Sequence, residues 1–208
     1  MDLTSPLATV TPTLDAGVLQ VLTATRSSIT TGEVHRRLGR GSDQGVRKVL
    51  ARLVAQGVVV MEGPSRHPLY RFNRDHVAAE HIRGLAMVRS EIIRRIGAEL
   101  DTWSVAAVHA GLFGSFARGE ADSDSDIDVL LVHPALANRD TEDAWATQLG
   151  ELEARVRAWT GNRAQLVAVS TEALAAMAAA KDPLLGSWRA DMVHVRGQRL
   201  SDLLRRPR

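Results

Sequence analysis

Phe113-Gly114-Ser115-Phe116-Ala117-Arg118-Gly119, followed after a short acidic turn by Ser125-Asp126-Ile127-Asp128-Val129-Leu130-Leu131-Val132, decides how this chain is read. The mostly apolar run Val105–Phe113 predicts a buried strand that feeds directly into Gly114-Ser115. A glycine at such a point lets the backbone approach an anion closely. The N–H groups of a following helical turn can cradle phosphate, and Ser115 adds a hydroxyl donor. The run Asp126–Val132 reads as a second strand, in which Asp126 and Asp128 point to one face and Ile127 and Val129 to the other. Two carboxylates that close repel one another unless a cation lies between them or one takes a proton. Mg²⁺ or Mn²⁺ meets that need, held by one or two carboxylates together with substrate phosphates. A plain acidic turn would explain Asp122 and Asp124. It explains Asp128 poorly, because a charge inside an apolar strand is costly without a partner.

Two other phosphate and metal motifs are excluded. The glycine spacing and lysine of a Walker A loop are missing. Asp122, Asp124 and Asp126 imitate the start of an EF-hand, but Ile127 stands where the sharp turn needs glycine and His133 where the loop needs glutamate.

The 208 residues suffice for one large domain or two small ones, and 45% hydrophobic with 24% charged residues is ordinary for a soluble globular protein. Without cysteine there is no disulfide framework and no thiolate chemistry, and the 7 histidines show no paired zinc spacing. No apolar stretch reaches the length of a membrane span, and Met1–Thr13 lacks the pattern of a signal peptide, so the expectation is a cytoplasmic protein without a membrane partner. The formal charge of +2 is unevenly spread. Residues 1–75 hold 10 basic and 6 acidic side chains, while residues 76–208 hold 16 and 18. A basic small domain beside a mildly acidic larger one suggests that the first meets a polyanion.

Within residues 1–75, Leu14, Val18, Leu19, Val21 and Leu22 share one face of a helix over Leu14–Ala24. Ser28, Thr30 and Thr31 offer caps for a second short helix that ends at Gly39 and Gly41. Ser42 caps a third, with Val46, Val49, Leu50, Leu53 and Val54 at core spacing and Gly57 at its close. Val58–Met61 and Leu69–Phe72 then read as a hairpin whose loop, Gly63–Pro68, is too long for a tight turn. This order of elements resembles the winged helix-turn-helix family over residues 13–75. The resemblance implies that the third helix enters the major groove of double-stranded DNA and that the hairpin touches backbone. Gln44, Arg47, Lys48 and Arg52 on the exposed helix face, with Arg66 and His67 at the wing tip, are the candidate contacts. Charged outer faces also serve solubility alone, and a winged helix can bind protein instead.

The stretch Asp75–Trp103 is amphipathic, with Val77, Ile82, Leu85, Ile92, Ile96 and Leu100 at mostly helical spacing. It is expected to open the second domain and to pack on its sheet. A spare apolar edge there would suit a homodimer reading two half-sites.

Gly114-Ser115, Ala117-Arg118-Gly119 and Ser125-Asp126-Ile127-Asp128 together resemble the signature of the nucleotidyltransferase superfamily of the DNA polymerase β type, particularly its minimal members, over about residues 78–200. The expected fold class is therefore α+β: an N-terminal winged helix-turn-helix (1–75) joined to a nucleotidyltransferase-fold domain (76–208) with a mixed sheet flanked by helices. The resemblance implies that Gly114 and Ser115 hold the triphosphate and that Asp126 and Asp128 bind the metals. Arg118 would buttress the loop or touch phosphate, and Ser125 would fix the turn. It also implies transfer of a nucleoside monophosphate to a protein or nucleic-acid hydroxyl, with two metals stabilising the attacking and leaving oxygens.

One position departs from the pattern. Active members add a third carboxylate from a later strand, here expected in Ala164–Val169 after a helix spanning Thr141–Thr160, and Gln165 stands in its place. An amide is a poor base and brings no charge to a cation site. Glu172 sits in the first turn of the helix expected at Thr171–Ala180, where negative charge has a structural reason, and Glu151 and Glu153 belong to the preceding helix. Trp188 and Met192 followed by Val193-His194-Val195 read as a helix and a closing strand, and Arg205-Arg206-Pro207-Arg208 as a disordered basic end. Two functional readings stand: a transferase whose acceptor is positioned by the winged helix, or a DNA-binding regulator whose transferase domain is silent and serves as nucleotide sensor or scaffold.

Overall fold

In the computed structural model, which describes residues 1–64 and 66–205, the chain divides between Arg89 and Ser90 into two units. The first comprises Asp2 and Thr4–Arg89; the second takes Ser90 onward together with Met1 and Leu3. The sequence reading placed the boundary at 75/76. It falls later because the long amphipathic stretch is two helices, α4 (Ala79–Ala86) and α5 (Val88–Leu100). Ala79, Ile82, Leu85 and Ala86 of α4 pack into the core of the first unit, while Ile92, Ile96 and Leu100 of α5 are buried in the second.

In the first unit, α1 (Leu14–Ala24) buries Val18, Leu19 and Leu22 against Val34 of α2 (Thr31–Leu38) and Val46, Leu50 and Leu53 of α3 (Asp43–Ala55). The Thr30 hydroxyl accepts from the Glu33 amide and the Ser42 hydroxyl from the Gly45 amide, so each short helix begins on a side-chain cap. The hairpin of β2 (Val59–Glu62) and β3 (Leu69–Phe72) is joined on its β3 side by β1 (Ile29–Thr30), an antiparallel sheet of order β1-β3-β2. Strand β1 was not anticipated; two residues are too few for a periodicity to register.

The second unit is built on a four-stranded mixed sheet of order β6-β5-β4-β7. Strands β4 (His109–Phe113) and β5 (Ile127–His133) are antiparallel, β6 (Ala164–Ser170) runs parallel to β5, and β7 (Val193–Gly197) is antiparallel to β4. Both faces of β5 are covered, which explains its near-continuous apolar run. Leu130 and Val132 meet Leu174 of α8 (Thr171–Ala179), Leu185 and Trp188 of α9 (Pro183–Asp191) and Leu200 of the last turn, Leu200–Leu203. Ile127, Val129 and Leu131 are fully buried on the other side. Helix α7 (Arg139–Thr160), started by a capping box of Asn138 and Thr141, is tied to α5 by Arg155 bonding the buried Glu99 at 2.7 Å. Among the described residues no helix is long and apolar enough to cross a membrane. Arg206, Pro207 and Arg208 of the basic end lie outside the described residues, as does Ser65 of the hairpin loop.

Candidate nucleotide and metal site

Strand β4 ends at Phe113, whose Cα partner across the ladder is Asp128. The chain turns at once into α6 (Gly114–Arg118), with Gly114 at φ +69°. A Cβ on Gly114 would lie 2.2 Å from Asp128 Oδ2, so the position needs glycine for its dihedral and again for its space. The Gly114 backbone therefore rests directly against the Asp128 carboxylate. Asp126 precedes β5 rather than opening it, since the strand begins at Ile127.

Asp128 is half-buried, and its pKa is raised, first by burial and then by the charge of Asp126, against the opposing pull of Arg118. Among the described residues neither aspartate side chain accepts a hydrogen bond or joins an ion pair. Arg118 lies near enough to be felt, but its guanidinium bonds elsewhere: Nε donates to Glu120 at 2.7 Å and Nη1 to Asp191 at the end of α9 at 2.6 Å. Arg118 thus braces the turn after β4 against α9 and offsets the charge of the aspartate pair only at a distance, without a bond to either. Such a pair suits a divalent cation. No group of three or more His, Cys, Asp or Glu side chains able to hold a metal exists among the described residues. The donor set therefore fits a cation that arrives with ligand phosphates better than one held by protein alone.

The loop before Asp126 is set by two side chains. Ser125 Oγ donates to Asp122 Oδ1 at 2.7 Å and accepts the Asp122 amide at 3.0 Å, closing the turn on itself; the Ser125 hydrogen bond is the first cause of the lowered pKa of Asp122. Asn162, buried at 3% exposure just past α7, donates from Nδ2 to the carbonyls of Asp122 at 3.1 Å and Ser125 at 3.0 Å. Sequence reasoning missed Asn162, because Gly161-Asn162 after a helix reads as an ordinary helix end. Asp191 was missed as well: its bond to Arg118 joins residues far apart in the chain.

Gln165 is the Cα partner of Asp128 in the parallel β5–β6 register and is exposed. Neighbours in register share a face, so the amide stands beside the aspartate where a third acid was expected. Glu172 is exposed at the start of α8, with its pKa lowered first by its own backbone amide and then by Ser170 and Thr171. Glu151 and Glu153 are exposed on α7.

Residues 93–176 match the family model described as a nucleotidyltransferase domain. A nucleotidyltransferase domain is present. The matched span runs from α5 through β4, α6, β5, α7 and β6 into α8, and so contains Gly114, Ser115, Arg118, Ser125, Asp126, Asp128 and Gln165. None of the curated proteins matches the chain.

The six expected DNA contacts all lie in the first unit. Gln44, Arg47, Lys48 and Arg52 are exposed on α3, and Arg66 and His67 are exposed in the β2–β3 loop. Arg47 Nε bonds Asp43 Oδ2 at 2.6 Å and Arg52 pairs with Asp15 of α1. The Arg47–Asp43 pair is exposed on both sides and of the kind worth about 0–1 kcal/mol, whereas the Asp15 side chain that meets Arg52 is mostly buried.

The Gly114–Asp128 approach leads to two expected outcomes. Gly114→Ala is expected to lower stability in urea unfolding by about 2 kcal/mol or more, because a left-handed non-glycine residue alone costs roughly 1–2 kcal/mol and the new methyl meets a carboxylate. Asp128→Asn is expected to raise the thermal midpoint at pH 7 in metal-free buffer. A carboxyl whose folded pKa is raised costs stability once ionised, so the gain should shrink as pH falls through that folded pKa and vanish below the unfolded value. Calorimetry from pH 7 downward measures it, and an unchanged or lower midpoint at pH 7 would contradict the assigned repulsion.

Proposed function

We propose that the chain is a DNA-binding protein whose nucleotidyltransferase domain binds a nucleoside triphosphate with Mg²⁺ or Mn²⁺ as a regulatory ligand. The observation that carries this reading is the register that sets Gln165 beside Asp128. In this proposal Gly114 and Ser115 hold the triphosphate, and Asp126 and Asp128 hold the divalent ion that accompanies it. When bound, that ion supplies positive charge between the carboxylates and the phosphate oxygens. Arg118 keeps the turn in place through Asp191, and Ser125 with Asn162 keeps the Asp126 loop in place. The Gln165 amide can orient a ligand oxygen but cannot accept its proton, so the position beside Asp128 supplies no base to activate an acceptor hydroxyl.

A second reading is favoured by the close Gly114–Asp128 approach and by an aspartate pair that no side chain bonds among the described residues. There the oxygen of a protein or nucleic-acid hydroxyl attacks the α-phosphorus, the bond to the bridging oxygen breaks, pyrophosphate leaves and the hydroxyl proton passes to solvent. The four triphosphates, each labelled, decide between the two in the presence of Mg²⁺ and cell extract. Retention of label by binding alone, at least tenfold weaker in Asp128→Ala, with covalent transfer gained only in Gln165→Asp, is the outcome expected for the regulatory reading. Covalent transfer by the native chain that Asp128→Ala abolishes would replace it with the second. Absence of binding would remove both.

The first unit, in the same proposal, is a winged helix that places α3 in the major groove of double-stranded DNA and the β2–β3 loop on the backbone. Its support is the order of three helices and a hairpin, with Gln44 and Lys48 exposed on α3. Arg47→Ala with Lys48→Ala is expected to weaken DNA retention and to flatten its dependence on log salt by roughly one for each phosphate no longer neutralised. An unchanged affinity and slope would take α3 out of the interface and leave a protein partner as the role of this unit.

A further inference from the structure

His109 opens β4 and is 0% exposed. Its Nδ1 lies 2.7 Å from the carbonyl oxygen of Gln198. A carbonyl only accepts, so Nδ1 carries the proton, and the neutral ring keeps a lone pair on Nε2. Among the described residues that Nε2 has no hydrogen-bond partner, and neither has Nδ1 of His194 on β7. The two ring centroids are 5.7 Å apart. An irregularity in the β4–β7 ladder brings them together. Ala110 pairs with Arg196 while Gly111 pairs with His194, so His194 joins the face of His109 and Arg196 turns to the opposite one, where it bonds Asp101. Burial lowers the pKa of both rings; His194 lowers that of His109 further, and Arg199 and Arg196 that of His194.

Buried polar atoms left without partners are rare and cost free energy, so two on one wall call for a partner. Both rings line a cavity of about 180 Å³ shared with Arg189, Met192, Arg199, Leu200 and Ser201. Arg189 and Arg199 are exposed and, among the described residues, face no carboxylate partner. The Ser201 hydroxyl donates to Asp202 at 3.2 Å, outside the lining. Imidazole lone pairs alone would suit a metal ion, but two guanidinium groups and no carboxylate make this lining hostile to cations. The volume is below the roughly 300–1,000 Å³ of pockets for drug-sized ligands, too small to enclose a nucleotide but with room for a single oxyanion.

We propose that this cavity binds an oxyanion of the phosphate class that still carries an O–H, of which inorganic phosphate is the simplest. Its O–H donates to His109 Nε2, its other oxygens face Arg189 and Arg199, and the His194 ring, protonated on Nδ1, meets one of them. Sulfate has the same shape and charge but no proton to give at neutral pH, so it leaves Nε2 unpaired. The site uses none of Gly114, Ser115, Asp126 or Asp128 and is independent of the triphosphate reading.

The full chain, in EDTA and without nucleotide, is titrated at pH 7.5 with inorganic phosphate and separately with sulfate, following the histidine Cε1–H signals by NMR. Phosphate is expected to shift the signals of His109 and His194 saturably, with a Kd of roughly 1 mM or tighter. Sulfate should bind at least tenfold more weakly, and that gap should narrow as pH falls and His109 gains a proton on Nε2. Arg199→Gln and Arg189→Gln lie on the surface and leave the fold intact; each should weaken phosphate at least tenfold. Unmoved signals, equal affinity for sulfate at pH 7.5, or full affinity in both arginine variants would each overturn the proposal.

Discussion

The candidate site depends on one close approach, that of the Gly114 backbone to the Asp128 carboxylate. It arises from the β4–β5 ladder, which pairs Phe113 with Asp128, and from a positive φ at the next residue, which folds the chain back over the neighbouring strand. Any side chain at position 114 would fill the space the carboxylate occupies. Once the turn lies there, α6 must come next, and Arg118 reaches Asp191 at the end of α9. The positions of the Gly114 turn, of Asp128 beneath it and of the helix that follows are thus tied to a single steric condition on two adjacent strands.

The sequence was most legible where that condition leaves a local mark. A glycine and serine after an apolar run, then aspartates two apart at a strand start, are short-range patterns, and residues 93–176 match the corresponding family. Helix α1 and strand β3 fell where their apolar spacing put them, because each buries one stripe or one face. What stayed hidden was set by interactions between distant residues. Asn162 holds the Asp122–Ser125 loop through carbonyls that leave no side-chain signature. The break between α4 and α5 at Met87 carries no proline or glycine of its own, so a continuous apolar periodicity disguised two helices that belong to different cores. The β4–β7 bulge, which chooses the face of His194, is invisible to an alternation count because it shifts that count by one.

The candidate site and the histidine cavity occupy one face of the same sheet. His109, Gly111 and Phe113 alternate onto that face from β4, with Phe113 beside Trp188 and the Asp128 end of the ladder, and His109 at the other end. Gly111 lies between them, and a Cβ there would stand 2.3 Å from Met192 Sδ and 3.0 Å from His109 Nε2. A small residue at 111 therefore lets Met192 close down between the two places. Asp191 holds Arg118 and the adjacent Met192 lines the histidine cavity, so the end of α9 touches both.

Charge balance gives the Asp128 region its chemical character. Three carboxylates around a cation would bind it through the protein alone; two, with an amide beside them, leave part of the coordination to the ligand. The raised pKa of Asp128 indicates that the pair is held at some cost without a cation, since burial and Asp126 both oppose its ionisation. Arg118 relieves part of that cost from nearby, but Nε and Nη1 bond Glu120 and Asp191 rather than the aspartates. The arrangement leaves the negative charge of the two aspartates without a bonded cation among the described residues, and the residue beside Asp128 in register, Gln165, adds no charge to it. A site can keep strong recognition of a metal–phosphate ligand while losing the base that reaction requires, because recognition rests on the charge of the aspartates and proton transfer on the basicity of a third group.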